Sequence, residues 1–353
     1  MTSIAKPRVQ HPSLQKNAIG LTRRDYEGSM STLCAGCGHD SVTAAIIDAF
    51  FRLAIEPHRV AKLSGIGCSS KTTAYFVSQA HGFNSVHGRM PAIATGANAA
   101  NRDLYYVGIS GDGDSLSIGL GQLCHAIRRN VRMIYVLENN GVYGLTKGQF
   151  SATSEKGAKL KKGDVNEFAD IDLCEMALEL GCTYVARTFS GDAKQVVGLI
   201  RGAIAHEGFA LLDVISPCVT FNNLDSSKKG FNWMREHNLQ LHEVGYVAPY
   251  DAVEVDMEPG TDRLVEMPDG GFIRLHKLAE DHDPTDISAA RRVLERDRLD
   301  EGHVTTGLIY CNEKVGKSLQ ETLALPDTPL ALLGEDVLRP RRAAFDELVA
   351  SYC

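Results

Sequence analysis

The sequence predicts an α/β fold, an open, doubly wound and mainly parallel sheet with a C-terminal extension. Two observations lead to this prediction. Segments 104–110 and 131–137 are apolar at nearly every position, which is typical of parallel strands that are covered on both faces. Segments with helical character, at 118–129 and 194–206, alternate with such strands, and this alternation produces parallel βαβ units. In folds of this kind, ligands gather at the carboxyl ends of the strands.

The other elements continue the same alternation along the chain. Further helices are expected at 42–53 and 172–180, and further strands at 59–64 and 210–216. After about residue 251, clusters of Pro, Asp and Gly break the pattern, which predicts an extension rather than an independent domain. We therefore expect an N-terminal arm at 1–30, a main domain at 31–250 and the extension at 251–353.

Composition excludes several classes of protein. The chain has 353 residues and a net charge of −7, so it lacks the basic face that binding to nucleic acid requires. It has no apolar run of the roughly 18 residues that a membrane span needs. Its nine cysteines are an odd number in a sequence without an export signal. This combination favours metal or redox roles over disulfides, and it predicts a cytoplasmic protein.

A glycine-rich turn with an acidic residue follows the strand at 104–110. Gly111, Asp112 and Gly113 form this turn, where glycines permit close approach of backbone N–H groups to a phosphate. Asn140 and Val142 follow the next strand, and 26 residues separate Gly113 from Asn140. Mg²⁺ prefers hard oxygen ligands. The Asp112 carboxylate, the Asn140 amide and the Val142 carbonyl are therefore candidate ligands beside a diphosphate, although Gly-Asp-Gly alone would be only a turn.

Four cysteines occur where a metal centre can form. Cys34 and Cys37 make a C-x₂-C pair, and Cys68 and Cys218 each follow a predicted strand, at the same sheet edge as Asp112. Four thiolates suit a [4Fe–4S] cluster or Zn²⁺. The isolated third and fourth cysteines favour the cluster, and a redox dithiol remains a further alternative. The other five cysteines are expected in the core or, for the terminal one, on the surface: Cys124, Cys174, Cys182, Cys311 and Cys353.

The motifs together resemble a known family. The runs are LCAGCGHDS, SGIGCSS, HGRMPAIATGANAA, GDGD and YGLTKGQ. Gly-Asp-Gly followed at this spacing by an Asn resembles the thiamine-diphosphate motif. All five runs, over roughly residues 20–225, look like the β subunit of the 2-oxoacid:ferredoxin oxidoreductases (2-ketoacid:acceptor oxidoreductases), above all the 2-oxoglutarate members. The fold implied is the thiamine-diphosphate-binding, or pyrophosphate-domain, type. The extension resembles the family only loosely.

The resemblance assigns roles to individual residues. It implies that Cys34, Cys37, Cys68 and Cys218 hold a [4Fe–4S] cluster, and that Asp112, Asn140 and Val142 hold Mg²⁺. It implies thiamine-diphosphate contacts at Ile66, Gly67, Cys68, Ser69, His87, Gly88, Arg89, Met90, Gly113, Asp114, Gly144 and Leu145. For three of the side chains nearby a plain structural role is the alternative: a hydrogen-bonded histidine at His39 or His87, and an ion pair at Arg89.

The resemblance also implies an activity and partners. The reaction is oxidative decarboxylation of a 2-oxoacid, 2-oxoglutarate being favoured, with coenzyme A, and electrons pass to ferredoxin. An α subunit, in an αβ or α₂β₂ enzyme, is expected to supply the glutamate that activates thiamine, because only one βαβ series is visible. Lys71 and Lys147 are candidates for reading a second substrate carboxylate, with solvated lysines as the alternative. The rival functions are a non-redox thiamine-dependent decarboxylase or synthase with zinc, and an Fe–S electron-transfer module.

Overall fold

The computed structural model describes most of the chain. The described residues are 11–159, 163–247, 262–266, 272–277, 282–300, 303–312, 314, 316–339 and 341–352. The strands are β1 (Val60–Ser64), β2 (His81–Asn84), β3 (Tyr105–Gly111), β4 (Met133–Asn139), β5 (Val142–Tyr143), β6 (Gln149–Phe150), β7 (Tyr184–Phe189), β8 (Phe209–Ile215), β9 (Asn238–Gln240), β10 (His242–Val247), β11 (Asp262–Glu266), β12 (Phe272–Lys277) and β13 (Val304–Cys311).

Eight of these strands form the central sheet. Their order is β2-β1-β3-β4-β8-β7-β13-β9. The pairs from β2 across to β7 are all parallel, whereas β13 runs antiparallel to β7. Strands β3, β4 and β8 are almost entirely buried, as expected where helices cover both faces. The other strands form two small separate sheets, one with the strand order β10-β12-β11 and one in which β5 pairs with β6.

Helices cover the sheet on two sides. Their bounds are α1 (Gly38–Arg52), α2 (Cys68–Thr72), α3 (Met90–Ala100), α4 (Leu120–Arg128), α5 (Leu173–Glu179), α6 (Ala193–Ala205), α7 (Phe231–His237), α8 (Ile287–Leu299), α9 (Leu319–Thr322), α10 (Glu335–Leu338) and α11 (Arg342–Ala350). One apolar core contains side chains of α1 and α6, and a second contains side chains of α3, α4, α5 and α8. The doubly wound α/β prediction is therefore confirmed.

The architecture brings four loops to one edge of the sheet. Strands β1, β3, β4 and β8 are parallel neighbours or near neighbours, so their carboxyl ends face the same way. The loop after each strand begins at Gly65, Asp112, Asn140 and Ser216 respectively. These loops carry the candidate ligands apart from Cys34 and Cys37, which precede α1, and the rule that ligands gather at strand carboxyl ends places the site there.

Several details differ from the sequence-based expectations. The helix expected at 118–129 is α4, preceded by a π-helical segment Gly113–Ile118. Strand β7 and helix α3 were not predicted. The C-terminal extension contributes β13 to the central sheet, and the described part of the arm packs on α1, since Asn17 Nδ2 donates to the Phe51 carbonyl. Within the described residues, no helix is both long and apolar enough to cross a membrane.

Candidate functional site

A cavity of about 210 Å³ opens at the carboxyl edge of the sheet. The loops after β1, β3 and β4 form most of its wall. The lining residues are His39, Ile66, Gly67, Cys68, Ser69, His87, Gly111, Asp112, Gly113, Asp114, Ile118, Asn140, Val142, Tyr143, Gly144, Leu145 and Thr146. All three residues predicted to bind Mg²⁺ and nine of the twelve predicted to contact thiamine diphosphate are therefore brought together here.

Asp112 lies at the bottom of this cavity and is 2% exposed. One oxygen, Oδ2, accepts hydrogen bonds from Ser151 Oγ at 2.5 Å and Thr153 Oγ1 at 2.6 Å. Burial raises the pKa of the Asp112 carboxyl, and these two hydrogen bonds oppose the rise. A buried carboxylate is costly unless a cation or several donors compensate it. The site therefore suits a bound cation.

Asn140 and Val142 face the same cavity from the loop after β4. Asn140 is buried, and its Oδ1 accepts from the Val142 N–H at 3.1 Å, which leaves the second lone pair of that oxygen for a ligand. The Asn140 carbonyl accepts from Asn222 Nδ2 at 2.8 Å, so the loop is anchored from behind. Three different oxygen donors thus approach one space, and this donor set fits Mg²⁺.

Gly113 is constrained by an aromatic ring. A Cβ atom at this position would lie 2.3 Å from Cε1 of Tyr143. The Tyr143 hydroxyl donates to the Gly113 carbonyl at 2.9 Å. The ring thus packs directly on the turn, so the glycine is required for contact with Tyr143 as well as for any approach of a phosphate. Tyr143 was missed by sequence reasoning, because its place in YGLTKGQ carries no charge or metal-ligand signal.

Asp114 connects two loops of the site. Its Oδ1 accepts from the Gly88 N–H at 2.7 Å, and its Oδ2 accepts from Ser110 Oγ at 2.8 Å. These bonds hold the loop after β2 against the end of β3. Gly88 is also packed closely, since a Cβ there would lie 2.8 Å from backbone atoms of Gly119. Asp114 therefore lines the cavity and fixes its wall at the same time.

Cys68 and Cys218 lie beside the cavity wall at Gly144, and Cys34 and Cys37 lie near enough to interact electrostatically with them. A Cβ atom at Gly144 would lie 3.5 Å from Cys218 Sγ and 3.8 Å from Cys68 Sγ. Burial, above all, raises the pKa of the Cys37 thiol to about 12, and the nearby Cys218 adds to the rise. The pKa of Cys68 is likewise raised by burial first, then by Cys218 and, more weakly, by Cys34.

The number and type of these donors bear on which metal centre fits. Among the described residues, no three His, Cys, Asp or Glu side chains form a group that could hold a metal ion. A [4Fe–4S] cluster takes one thiolate at each of four irons, so its ligands stand farther apart than the ligands of a single ion. Four thiols from three loops around one space have the donor set of such a cluster.

Three of the remaining cysteines are buried as the sequence predicted, whereas Cys124, also expected in the core, is only partly buried. Cys174, Cys182 and Cys311 are buried, and Cys124 is half-buried in α4. Burial raises the pKa of Cys182 to about 12, as for an inert core thiol. Cys353 lies outside the described residues.

Five residues predicted to contact thiamine diphosphate or the substrate do not line the cavity. Met90 is a core residue whose sulfur packs near Gly108, and Arg89 is exposed at the start of α3. Gly88 is buried next to the cavity wall, where its N–H donates to Asp114. Lys71 lines a separate cavity beside β2, together with Lys62. Lys147 is exposed, with φ of +77°. The roles assigned to these residues stay predictions.

His39 makes the structural hydrogen bond considered for it, and its contact with a cofactor stays a prediction. It lines the cavity, and its Nδ1 is 2.6 Å from Ser216 Oγ. Burial lowers the pKa of His39 to about 4, so the ring is neutral near pH 7. Behind it, Glu138 is fully buried, and burial raises the pKa of its carboxyl well above the usual range. A buried strand glutamate of this kind gave no signal in the sequence.

The comparisons with known proteins identify the class first. Residues 65–214 match the family described as thiamine pyrophosphate enzyme, C-terminal TPP binding domain. That range begins just before the Cys68 loop and ends within β8, so it contains the loops that carry Asp112 and Asn140. The chain therefore contains a thiamine-diphosphate-binding domain, as the sequence motif indicated.

The family follows from individual relatives. The chain is 34% identical over 253 residues to a 2-oxoglutarate synthase subunit KorB of Methanocaldococcus jannaschii, covering 70% of this chain and 92% of that protein. It is 40% identical over 198 residues to a 2-oxoacid:ferredoxin oxidoreductase subunit beta of a Sulfolobus species, covering 55% of this chain and 64% of the relative.

A solved structure extends the similarity to nearly the whole chain. It is the 2-oxoglutarate:ferredoxin oxidoreductase from Magnetococcus marinus with 2-oxoglutarate, coenzyme A and succinyl-CoA bound. It matches with a TM-score of 0.71 and 30% identity, covering 97% of this chain and 99% of that one. The chain belongs to the β-subunit family of the 2-oxoacid:ferredoxin oxidoreductases, and the resemblance seen in its motifs is confirmed.

Proposed function

We propose that this chain is the cofactor-carrying β subunit of an enzyme that oxidatively decarboxylates a 2-oxoacid. Coenzyme A is acylated, CO₂ is released, and two electrons leave one at a time through a [4Fe–4S] cluster to ferredoxin. The observation that carries the proposal is that one cavity is lined both by Asp112, Asn140 and Val142 and by Cys68. The diphosphate site and the cysteines are thus neighbours, as electron transfer between them requires.

The cofactor site is assigned to the residues that line this cavity. Asp112, Asn140 and Val142 would hold Mg²⁺, and the Gly113 turn would receive the diphosphate. Thiamine diphosphate, when bound, supplies the stabilised carbanion on which decarboxylation depends. The chain's own contribution is to bind and orient it. The buried Asp112 provides negative charge for the cation, and Tyr143 packs on the turn.

The cluster is assigned to Cys34, Cys37, Cys68 and Cys218. The sulfurs of Cys68 and Cys218 lie beside Gly144, which has no side chain to occupy the space next to them. Burial disfavours the thiolate form of Cys37 and Cys68. Positively charged irons would offset that cost, because a metal-coordinated thiol is deprotonated outright.

The enzyme requires a partner subunit. The described residues contain one doubly wound sheet and one thiamine-type cavity, so the carboxylate that activates thiamine is assigned to an α subunit in an αβ or α₂β₂ assembly. We place the complex in the cytoplasm, where free cysteines stay reduced. The favoured substrate is 2-oxoglutarate, in line with the names of two similar proteins.

The test of this proposal is reduction of ferredoxin by the complex. The chain is purified without oxygen, alone and together with its α subunit. We expect ferredoxin reduction that needs both 2-oxoglutarate and coenzyme A in the complex, and none from the isolated chain. Turnover by the isolated chain would contradict the partner requirement. A complex that reduces no ferredoxin with any 2-oxoacid would contradict the activity.

Substrate choice has its own test at Lys147. The replacement Lys147→Gly suits the backbone, because φ is +77° there and glycine adopts such values freely. If the lysine binds the second carboxylate of 2-oxoglutarate, the variant should lose kcat/KM for 2-oxoglutarate about 10-fold or more while largely keeping that for pyruvate. Equal losses on both substrates would refute this role.

A further inference from the structure

A short turn behind the cavity touches both loops that carry the candidate Mg²⁺ ligands. Residues 151–154 form this turn, which is closed by a hydrogen bond of 3.1 Å from the Ser154 N–H to the Ser151 carbonyl. Ser151 and Thr153 both donate to Oδ2 of Asp112. Ser154 Oγ donates to the Gly141 carbonyl at 2.6 Å, between Asn140 and Val142. All three hydroxyl-bearing side chains are buried.

The hydrogen bonds on Asp112 are unequal between its two oxygens. Each carboxylate oxygen accepts about two hydrogen bonds. Oδ2 already receives two, from Ser151 and Thr153, at 2.5 and 2.6 Å. The other oxygen, Oδ1, therefore has the lone pairs available for a cation. The two hydroxyls also restrict rotation of the carboxylate group, so the direction in which Oδ1 points is fixed.

Thr153 is itself held by a buried network. Its single hydroxyl hydrogen is shared between Asp112 Oδ2 at 2.6 Å and Asn139 Oδ1 at 2.9 Å, and the shorter contact is the one to Asp112. Asn139 Nδ2 donates to Asp213 Oδ1 at 2.9 Å. Arg187 Nε donates to the second oxygen of Asp213 at 3.3 Å. This chain fixes the orientation of the Asn139 amide, because its NH₂ group faces the Asp213 carboxylate. The turn is thus anchored in the core of the sheet rather than on a mobile surface.

We propose that the 151–154 turn is a positioning element that sets Asp112 against the Asn140–Val142 loop for cation binding. Ser151 and Thr153 orient the Asp112 carboxylate, and Ser154 holds the Gly141 carbonyl in place through its hydrogen bond. None of the three hydroxyls touches the cation. The inference deepens the proposed function and rests on it, because it assumes that Asp112, Asn140 and Val142 are the ligands.

The expected effect follows from groups that orient metal ligands in other proteins. Removing a hydrogen bond of this kind costs about 10- to 100-fold in metal affinity. Thr153→Val has nearly the same shape and lacks the hydroxyl, so it should weaken cation binding by about that factor. Thr153→Ser keeps a hydroxyl and should restore most of the affinity. A purely structural role for Thr153 would lower stability without a specific change in metal affinity.

The experiment measures metal affinity directly. The complex with its α subunit is freed of divalent metal and titrated with Mn²⁺ at saturating thiamine diphosphate, and free Mn²⁺ is counted by EPR. The matched control is Thr188→Val. Thr188 lies in β7, away from the cavity, and is also fully buried. It donates a hydrogen bond of 2.6 Å to Gln195. Thermal unfolding is recorded for every variant.

The outcomes separate the inference from the proposed function. We expect a 10- to 100-fold higher Kd for Mn²⁺ in Thr153→Val, near wild-type Kd in Thr153→Ser and Thr188→Val, and similar losses of thermal stability in both valine variants. Wild-type affinity in Thr153→Val, or equal impairment of Thr153→Ser, overturns the positioning role alone. Failure of the wild-type complex to bind Mn²⁺ with thiamine diphosphate overturns the proposed site as well.

Discussion

Adding one methyl group at Gly113 should disturb the site through the Tyr143 ring. The new Cβ would lie 2.3 Å from Cε1 and 2.4 Å from Cζ of that ring, so the ring must move. Overpacking of a filled site costs about 1–3 kcal/mol. Movement of the ring also breaks its hydrogen bond to the Gly113 carbonyl and deforms the cavity wall. Gly113→Ala should therefore lower both stability and thiamine-diphosphate binding.

A second glycine in the same region provides the control. Gly121 lies in α4, and a Cβ there would meet nothing within 4 Å. Alanine is favoured over glycine inside a helix by roughly 0.5–1 kcal/mol, so Gly121→Ala should stabilise. The two variants should thus differ by about 1.5–4 kcal/mol. At about 1–2 °C for each kcal/mol in a chain of 353 residues, thermal unfolding of the full chain resolves this difference.

A double replacement tests the steric cause. If the ring is the obstacle, adding Gly113→Ala to a Tyr143→Ala background should cost almost nothing, and the coupling between the two changes should approach the full penalty of the single variant. Bound thiamine is measured in parallel on the complex. Equal stability of Gly113→Ala and Gly121→Ala, with unchanged thiamine content, would refute the reasoning.

Three further predictions concern other parts of the chain. Cys218→Ser should remove most of the iron and acid-labile sulfide, whereas Cys124→Ser, in α4, should keep both, as measured by iron and sulfide analysis; iron at the wild-type level in Cys218→Ser would contradict the ligand assignment. Arg187→Met should destabilise by about 3–5 kcal/mol in urea unfolding, because it removes the cation from the buried carboxylates of Asp213 and Asp297 and from the half-buried one of Asp172, while Arg291→Met at an exposed pair should change stability by less than about 1 kcal/mol. Burial lowers the pKa of His206 from 6.5 to about 3 in the folded state, so the unfolded chain takes up this proton first as the pH falls below 6.5. The free energy of unfolding should then drop by about 1.4 kcal/mol for each pH unit. His206→Gln should flatten this dependence between pH 6.5 and 4, and an unchanged slope would contradict the prediction.

The sequence predicted the sheet because its strands are buried on both faces. Such strands are apolar throughout, and β3, β4 and β8 were located within about two residues. Strand β7 was missed, since its run YVARTF contains Arg187, whose charge is compensated by acidic residues distant in sequence. Helix α3 was missed because its small residues, in MPAIATGANAA, give little helical contrast.

The site was predicted as far as strand ends could locate it. Asp112, Asn140 and Cys68 follow predicted strands, and the structure brings them to one cavity. The positions of Ser151 and Thr153 could not be predicted, because a loop brings them against Asp112 although they lie 39 and 41 residues away along the chain. Lys71 shows that closeness in sequence to a site residue is not enough. Cys68, three residues earlier, lines the site cavity, whereas Lys71 lines another cavity.

The central claim is that a thiamine-diphosphate site and a [4Fe–4S] cluster share this chain. It is tested most directly by purifying the complex with its α subunit without oxygen, measuring iron, sulfide, magnesium and thiamine, and recording EPR after adding 2-oxoglutarate and coenzyme A. The account predicts about four irons for each chain, bound thiamine, and a reduced-cluster signal that depends on both substrates. Zinc in place of iron, or a silent spectrum with every 2-oxoacid, would contradict it.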